Sequence, residues 1–215
     1  MKSNYKSYWR KTGLKGKWGN IYLERISFHN PKNFLEIGVF CGVTARNTCD
    51  FLNKINGGNF TYVGIDLFGG EKNTSADEIE PKFLLNQKFS NPFKNDYYNL
   101  TLRKNLNSIE SIKKLLKKYN NNIKLIKGDT NSVLKEIDLK NIDFVFLDGG
   151  HSYQTVTNDL EILYKNFKDN KVVVLCDDYG EESCIKDVRD AIDDFVKKNN
   201  LHLDLIKNRF AELIL

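Results

Sequence analysis

Six carboxylates and one histidine recur at one kind of place in this chain. Glu36, Asp66, Asp129, Asp148 and the pair Asp177 and Asp178 each stand at or near the end of a short apolar run, and His151 lies three residues beyond Asp148. A single aspartate there is ordinary turn chemistry, because its side chain bonds the backbone two residues on. Five runs closing on acids is harder to explain by turns alone. If the runs are parallel strands, their C-terminal ends share one edge, and open α/β sheets bind ligands there at the switch in strand order.

Residues 33–44 introduce the pattern. Phe34, Leu35 and Ile37 read as a buried strand, Gly38 and Gly42 break it, and a helix is predicted over about 43–53. A strand turning into a helix presents free backbone N–H groups, to which a carboxylate or phosphate can dock. Glycine lets a ligand approach that backbone. Phe40 stands where the dinucleotide fingerprint has its second glycine, and no Gly-Lys-Ser/Thr follows, so neither a pyrophosphate turn nor a P-loop is present. What is left, acid-x-Gly-x-x-x-Gly with Glu36 as the acid, is equally a structural turn. Asp66 adds weight. It ends the second apolar run, 28 residues after Gly38, where an acid accepts hydrogen bonds from both hydroxyls of a ribose. The ligand implied is a nucleoside bearing something other than a diphosphate.

The elements that position these residues alternate. Strands are predicted over 60–67, 123–126, 142–147 and 172–176 besides the first, with helices over 21–28, 108–119, 152–167 and 185–198, and Asn131 capping a short one. Residues 201–215 read as a hairpin. Near-continuous apolar strands alternating with helices mean an α/β fold, a doubly wound, mostly parallel sheet of about seven strands with an antiparallel C-terminal hairpin. At 215 residues one domain is expected. Residues 1–32 form a basic, aromatic leader, read as a flap over a ligand or as packing on the sheet. Residues 33–215 form the domain, and the irregular, aromatic stretch at about 68–107 is expected to cover the site with short helices.

Composition narrows the function. The net charge of +5 is modest and lysine outnumbers arginine 27 to 6, whereas nucleic-acid readers lean on arginine forks, so nucleic acid is an unlikely partner. No apolar run reaches membrane-spanning length and the leader lacks a signal-peptide core, so no membrane partner and a cytoplasmic location are expected. Cys41, Cys49, Cys176 and Cys184 have no C-x-x-C spacing and read as buried free thiols. The oligomeric state stays open, a homo-oligomer included.

The runs Phe-Leu-Glu-Ile-Gly-Val-Phe-Cys-Gly, Tyr-Val-Gly-Ile-Asp, Lys-Gly-Asp and Phe-Leu-Asp-Gly-Gly-His-Ser-Tyr together resemble the class I S-adenosylmethionine-dependent methyltransferases. The resemblance covers about residues 33–215, apart from the 68–107 stretch, and is nearest to small O-methyltransferases with Asp-Gly-x-His after the fourth strand. It implies that Gly38 and Gly42 lie under the methionine end of the cofactor, that Glu36 supports its amino group, that Asp66 holds the ribose and that Asp129 meets the adenine amine. Asp148 also borders the cofactor.

In that fold the fourth and fifth strands are neighbours, so Asp148, Asp177 and Asp178 converge. Carboxylates so close repel unless protonated or bridged by a cation, and an all-oxygen site suits Mg²⁺ or another hard divalent ion. The cation would lower the pKa of an acceptor hydroxyl, with His151 as the base. Metal-dependent relatives carry Asp with Asp-Asn in catechol types, and Asp with Glu-Asp plus a histidine base in sugar types. Here the pair is Asp-Asp. The Asp-Gly-Gly-His run favours a sugar or glycoside hydroxyl over a catechol as the small-molecule acceptor, by resemblance alone. The rival readings are a nucleic-acid or protein methyltransferase, and a nucleoside-binding module without turnover. Asp148 bonded to its own turn, Asp178 as a helix cap and His151 as a helix-start residue are the corresponding structural readings.

Overall fold

A computed structural model of the protein describes residues 4–69, 91–102, 106–167 and 170–215. Seven strands, β1 (Asn33–Ile37), β2 (Thr61–Asp66), β3 (Ile123–Lys127), β4 (Phe144–Leu147), β5 (Val173–Cys176), β6 (Leu203–Ile206) and β7 (Phe210–Ile214), form one sheet in the order β3-β2-β1-β4-β5-β7-β6. The first five are parallel, and β7 runs antiparallel between β5 and β6. Seven helices are described: α1 (Gly16–His29), α2 (Val43–Asn56), α3 (Pro92–Asp96), α4 (Ile109–Leu115), α5 (Thr130–Val133), α6 (Tyr153–Phe167) and α7 (Lys186–Asn199). The expected α/β sheet with its C-terminal hairpin is the observed one.

Strand periodicity sorts the core into two layers. Leu35, Ile37, Val145, Leu147, Val174 and Cys176 face α6 and α7. Phe34, Phe144, Phe146, Val173 and Leu175 face α1, α2 and α4. β4 and β5 are buried along their whole length, which is why they are apolar at every position.

The order in which strands are added reverses between β1 and β4, which run parallel, so their C-terminal ends flank the crevice. There the chain presses on itself. Gly38 takes φ +93°, and a Cβ on it would lie 2.0 Å from the Asp148 carbonyl oxygen. A Cβ on Gly42 (φ +73°) would meet the Ile112 and Leu115 side chains of α4 at 2.9 and 3.2 Å. Packing of the chain on itself therefore demands glycine at 38, and the left-handed φ favours it at 42, before any ligand is considered.

Several element boundaries differ from expectation for local reasons. The first helix starts at Gly16 rather than at residue 21. The short helix after β3 is capped by Asp129, whose carboxylate accepts from the Asn131 N–H at 2.9 Å, and Asn131 lies inside it. The fourth helix breaks into a 3₁₀ turn at Lys117–Tyr119. Of the 68–107 stretch, residues 70–90 and 103–105 lie outside the described residues. The remainder includes α3 and a π turn at Tyr97–Leu102.

Residues 4–15 lie along α1 and α2 as a strap. The Tyr5 ring fills the space a side chain on Gly19 would need, with its Cγ 2.2 Å from an added Cβ. The Tyr5 hydroxyl meets Thr44 at 2.8 Å, and Asn47 bonds both the N–H and the carbonyl of Lys6. Arg10 donates to the carbonyls of Cys41, Leu106 and Ser111. No helix among the described residues is long and apolar enough to cross a membrane. Cys41, Cys49 and Cys176 are buried free thiols as expected, whereas Cys184, in the loop between β5 and α7, is exposed.

Candidate active site

Strand register explains which acids meet. Ile37, Leu147 and Cys176 are lateral partners across β1, β4 and β5. One residue further, Gly38, Asp148 and Asp177 fall side by side, with the glycine giving Asp148 room. By alternation Asp148 and Asp177 share the α1–α2 face with Glu36, two residues back on β1.

Glu36 is fully buried there. Its Oε2 accepts from the Tyr62 hydroxyl at 2.8 Å, and Oε1 has no hydrogen-bond partner among the described residues. Burial raises its pKa to about 8; the Tyr62 bond opposes the shift and the nearby Asp66 charge adds to it. At neutral pH this is a protonated acid with one unused oxygen. A buried oxygen left without a partner is uncommon in a folded protein.

Asp66 is turned onto the glycine loop. Its Oδ2 accepts from the Val39 and Phe40 N–H groups, each at 2.8 Å, and Oδ1 from the Phe68 N–H at 2.6 Å. Burial raises its pKa, against these three bonds. Phe40 sits at φ +48°, a conformation costly outside glycine, and the Asp66 grip holds it there. A carboxylate offers about four lone-pair sites, so the geometry leaves room for one further donor where both hydroxyls of a ribose were expected. Asp129 serves as the α5 cap described above. The N-terminus of α2 has Gly42 at its cap position and no side-chain cap, leaving first-turn N–H groups for an anion.

The second group of residues lies one strand over. Asp178 follows the end of β5 with φ +58°, so the backbone has already turned and its side chain diverges from that of Asp177. Its Oδ2 is 3.4 Å from Nε2 of the exposed His151. Ligating atoms of Asp148, His151 and Asp178 lie within 4.8 Å of one another. Leu147, Val156 and Val188 complete a small cleft around them. Asp148 has its pKa pushed well above the usual carboxylate range, first by burial and then by the charges of Asp177, Asp178 and Glu36, with Arg209 opposing.

Asp177, expected among the metal ligands, is engaged elsewhere. Both its oxygens are held by Arg209, Nε to Oδ1 and Nη2 to Oδ2, each at 2.7 Å. Its Oδ1 also accepts from the Asp178 N–H. Burial works against the guanidinium's charge, yet the Asp177 fork outweighs it and moves the Arg209 pKa up. Arg209 was missed in the sequence. The available signal was a basic residue in a hairpin turn, on a strand destined to lie beside β5.

A sequence profile of methyltransferase domains matches residues 35–179. The chain belongs to this methyltransferase domain family. The resemblance to class I S-adenosylmethionine-dependent methyltransferases thus holds for family and fold. Among solved structures, this methyltransferase is similar to the O-methyltransferase NovP, at 17% identity over 89% of this chain and 75% of that one, with a TM-score of 0.61. A putative caffeoyl-CoA O-methyltransferase from Staphylococcus aureus gives 16% identity, 94% and 85% coverage and a TM-score of 0.60. CalS11, a TDP-rhamnose 3'-O-methyltransferase of calicheamicin biosynthesis, gives 16%, 90% and 76%, and 0.53. At these identities the likeness is one of fold. Comparison with curated protein sequences gives no match.

Proposed function

We propose that this methyltransferase transfers a methyl group to a hydroxyl of a small molecule, a sugar or glycoside ahead of a catechol, with a divalent cation beside the acceptor. The observation that carries the reading is the convergence of Asp148, His151 and Asp178 at the edge of the strand-order switch. Its charges suit the groups it would receive. The unused oxygen of Glu36 faces the need of an amino group, the uncapped α2 N-terminus that of a carboxylate, and the remaining lone pair of Asp66 that of a ribose hydroxyl. Asp129 is assigned to the adenine side, and Gly38 and Gly42 shape the floor. Asp148 borders both halves. The strap of residues 4–15 is assigned the role of a cover.

Asp148 and Asp178 would hold the cation through oxygen, as hard ions prefer. When bound, S-adenosylmethionine supplies an electrophilic methyl group and the cation supplies Lewis acidity toward the acceptor hydroxyl. The residues then do the rest. His151 is 54% exposed at its side chain, so its Nε2 can reach an acceptor proton, and the Asp178 carboxylate at 3.4 Å stabilises the imidazolium that results. The apolar wall of Leu147, Val156 and Val188 limits water beside the reacting oxygen. The sugar preference is supported by the Asp-Gly-Gly-His run and by the likeness in fold to CalS11, a TDP-rhamnose 3'-O-methyltransferase.

Titration calorimetry with S-adenosylhomocysteine, followed by methyl transfer from labelled cofactor to panels of glycosides and catechols, tests the reading. Turnover is expected on glycosides, lost in EDTA and recovered with Mg²⁺. Absence of cofactor binding would sink the whole proposal; turnover indifferent to EDTA would remove the cation, and a catechol preference the acceptor class.

A further inference from the structure

The rim's charges divide unevenly, and the division has one source. Parallel strands all bring their C-terminal ends to this rim, whereas β7 is antiparallel and brings its N-terminal end. Its pairing of Ala211 with Cys176 sets Arg209 opposite the residues that follow β5. The hairpin turn before it passes through Lys207 and Asn208, both at positive φ. Both Arg209 and Asp177 are buried, at 8% and 3% exposure, and the guanidinium plane matches the carboxylate with two bonds of 2.7 Å. Arg209 Nη2 is also 3.9 Å from Asp178 Oδ1.

We infer that Arg209 is the positioning residue of the cation site: its fork from the hairpin turn withdraws Asp177 from the ligand set and leaves Asp148 and Asp178 facing His151. The inference rests on the cation reading above. Three carboxylates and one guanidinium leave a net charge of −2, which one divalent ion balances. A third free carboxylate would leave −3 and a crowded site. The planar fork matters as much as the charge, because an ammonium in its place could swing between Asp177 and Asp178.

Mn²⁺ binding, followed by the electron paramagnetic resonance signal of the free ion, tests this on the full chain. Asp177→Asn leaves Arg209 with only Asp178 to pair, and Mn²⁺ affinity is expected to fall about tenfold or more. The double variant Asp177→Asn with Arg209→Met removes both ends of the pair, and its affinity is expected to return to within about threefold of wild type. Arg209→Lys, which keeps the charge, is expected to bind Mn²⁺ several-fold more weakly. S-adenosylhomocysteine affinity, measured by calorimetry, should stay near wild type throughout and reports that each variant is folded. A double variant as weak as Asp177→Asn alone would make Asp177 a ligand and overturn the inference, as would Arg209→Lys binding like wild type. Wild-type protein that binds S-adenosylhomocysteine but no Mn²⁺ would instead remove the cation reading, and this inference with it.

Discussion

Replacing Glu36 with glutamine should flatten part of the pH dependence of stability. In the native protein burial holds the Glu36 proton up to about pH 8, against an ordinary value of 4.5 in an unfolded chain. Between those values the native state carries one proton more than the unfolded state, so stability falls as pH rises. The contribution is whole below 4.5 and is lost as the pH passes through 8. At about 1.4 kcal/mol per unit, moving from about pH 5 to about pH 8 removes a few kcal/mol, on the order of 3 to 4. That is a large part of the 5–15 kcal/mol, roughly, by which domains are stable. Glutamine has the same shape, keeps a carbonyl oxygen for the Tyr62 hydroxyl and cannot ionise. Urea denaturation of both proteins across this range is the assay. The wild-type stability minus that of Glu36→Gln should decline by a few kcal/mol, on the order of 3 to 4, since other titrating groups are common to both. Parallel curves would refute the claim that Glu36 is held neutral by burial.

Gly38→Ala forces a Cβ to within 2.0 Å of the Asp148 carbonyl, so it should abolish S-adenosylhomocysteine binding and lower the melting temperature sharply, whereas Gly13→Ala, which meets nothing within 4 Å, should leave both unchanged. Asp66→Ala deprives three loop N–H groups of their acceptor; it should cost about 2–3 kcal/mol in chemical denaturation as well as cofactor affinity, and a loss of affinity at full stability would count against its hold on the loop. Leu163→Ala, on α6 and fully buried against the sheet, should cost about 2–5 kcal/mol while sparing cofactor affinity in the folded protein.

The sheet was legible because periodicity and the runs at 142–147 and 172–176 admit few alternatives to central parallel strands. Strand-end placement of the acids was legible for the same reason. What each carboxylate touches was not. Asp66 and Asp129 had the right addresses, yet the structure gives them backbone N–H groups, since an acid at a turn serves the nearest donors first. Asp177 and Asp178 are adjacent in sequence and could face one ion only if the strand had begun to turn; the chain does turn, with a positive φ at Asp178, yet Asp177 goes to Arg209, and no local pattern announces that. Arg209 lies 32 residues beyond Asp177, and only the antiparallel sense of β7 makes them neighbours. The Tyr5–Gly19 contact was invisible likewise, because it needs the register of the strap on α1.

The placing of β7 inside the sheet has a consequence for biosynthesis. Glu36, Asp66, Asp148 and Asp178 all precede residues 209–214 in the chain, and Arg209 meets Asp177 only once β7 lies beside β5. The pairing of Asp177 therefore depends on β7 being in place, and a product truncated before Arg209 would keep every acid named here while lacking both their counter-charge and the strand that positions it.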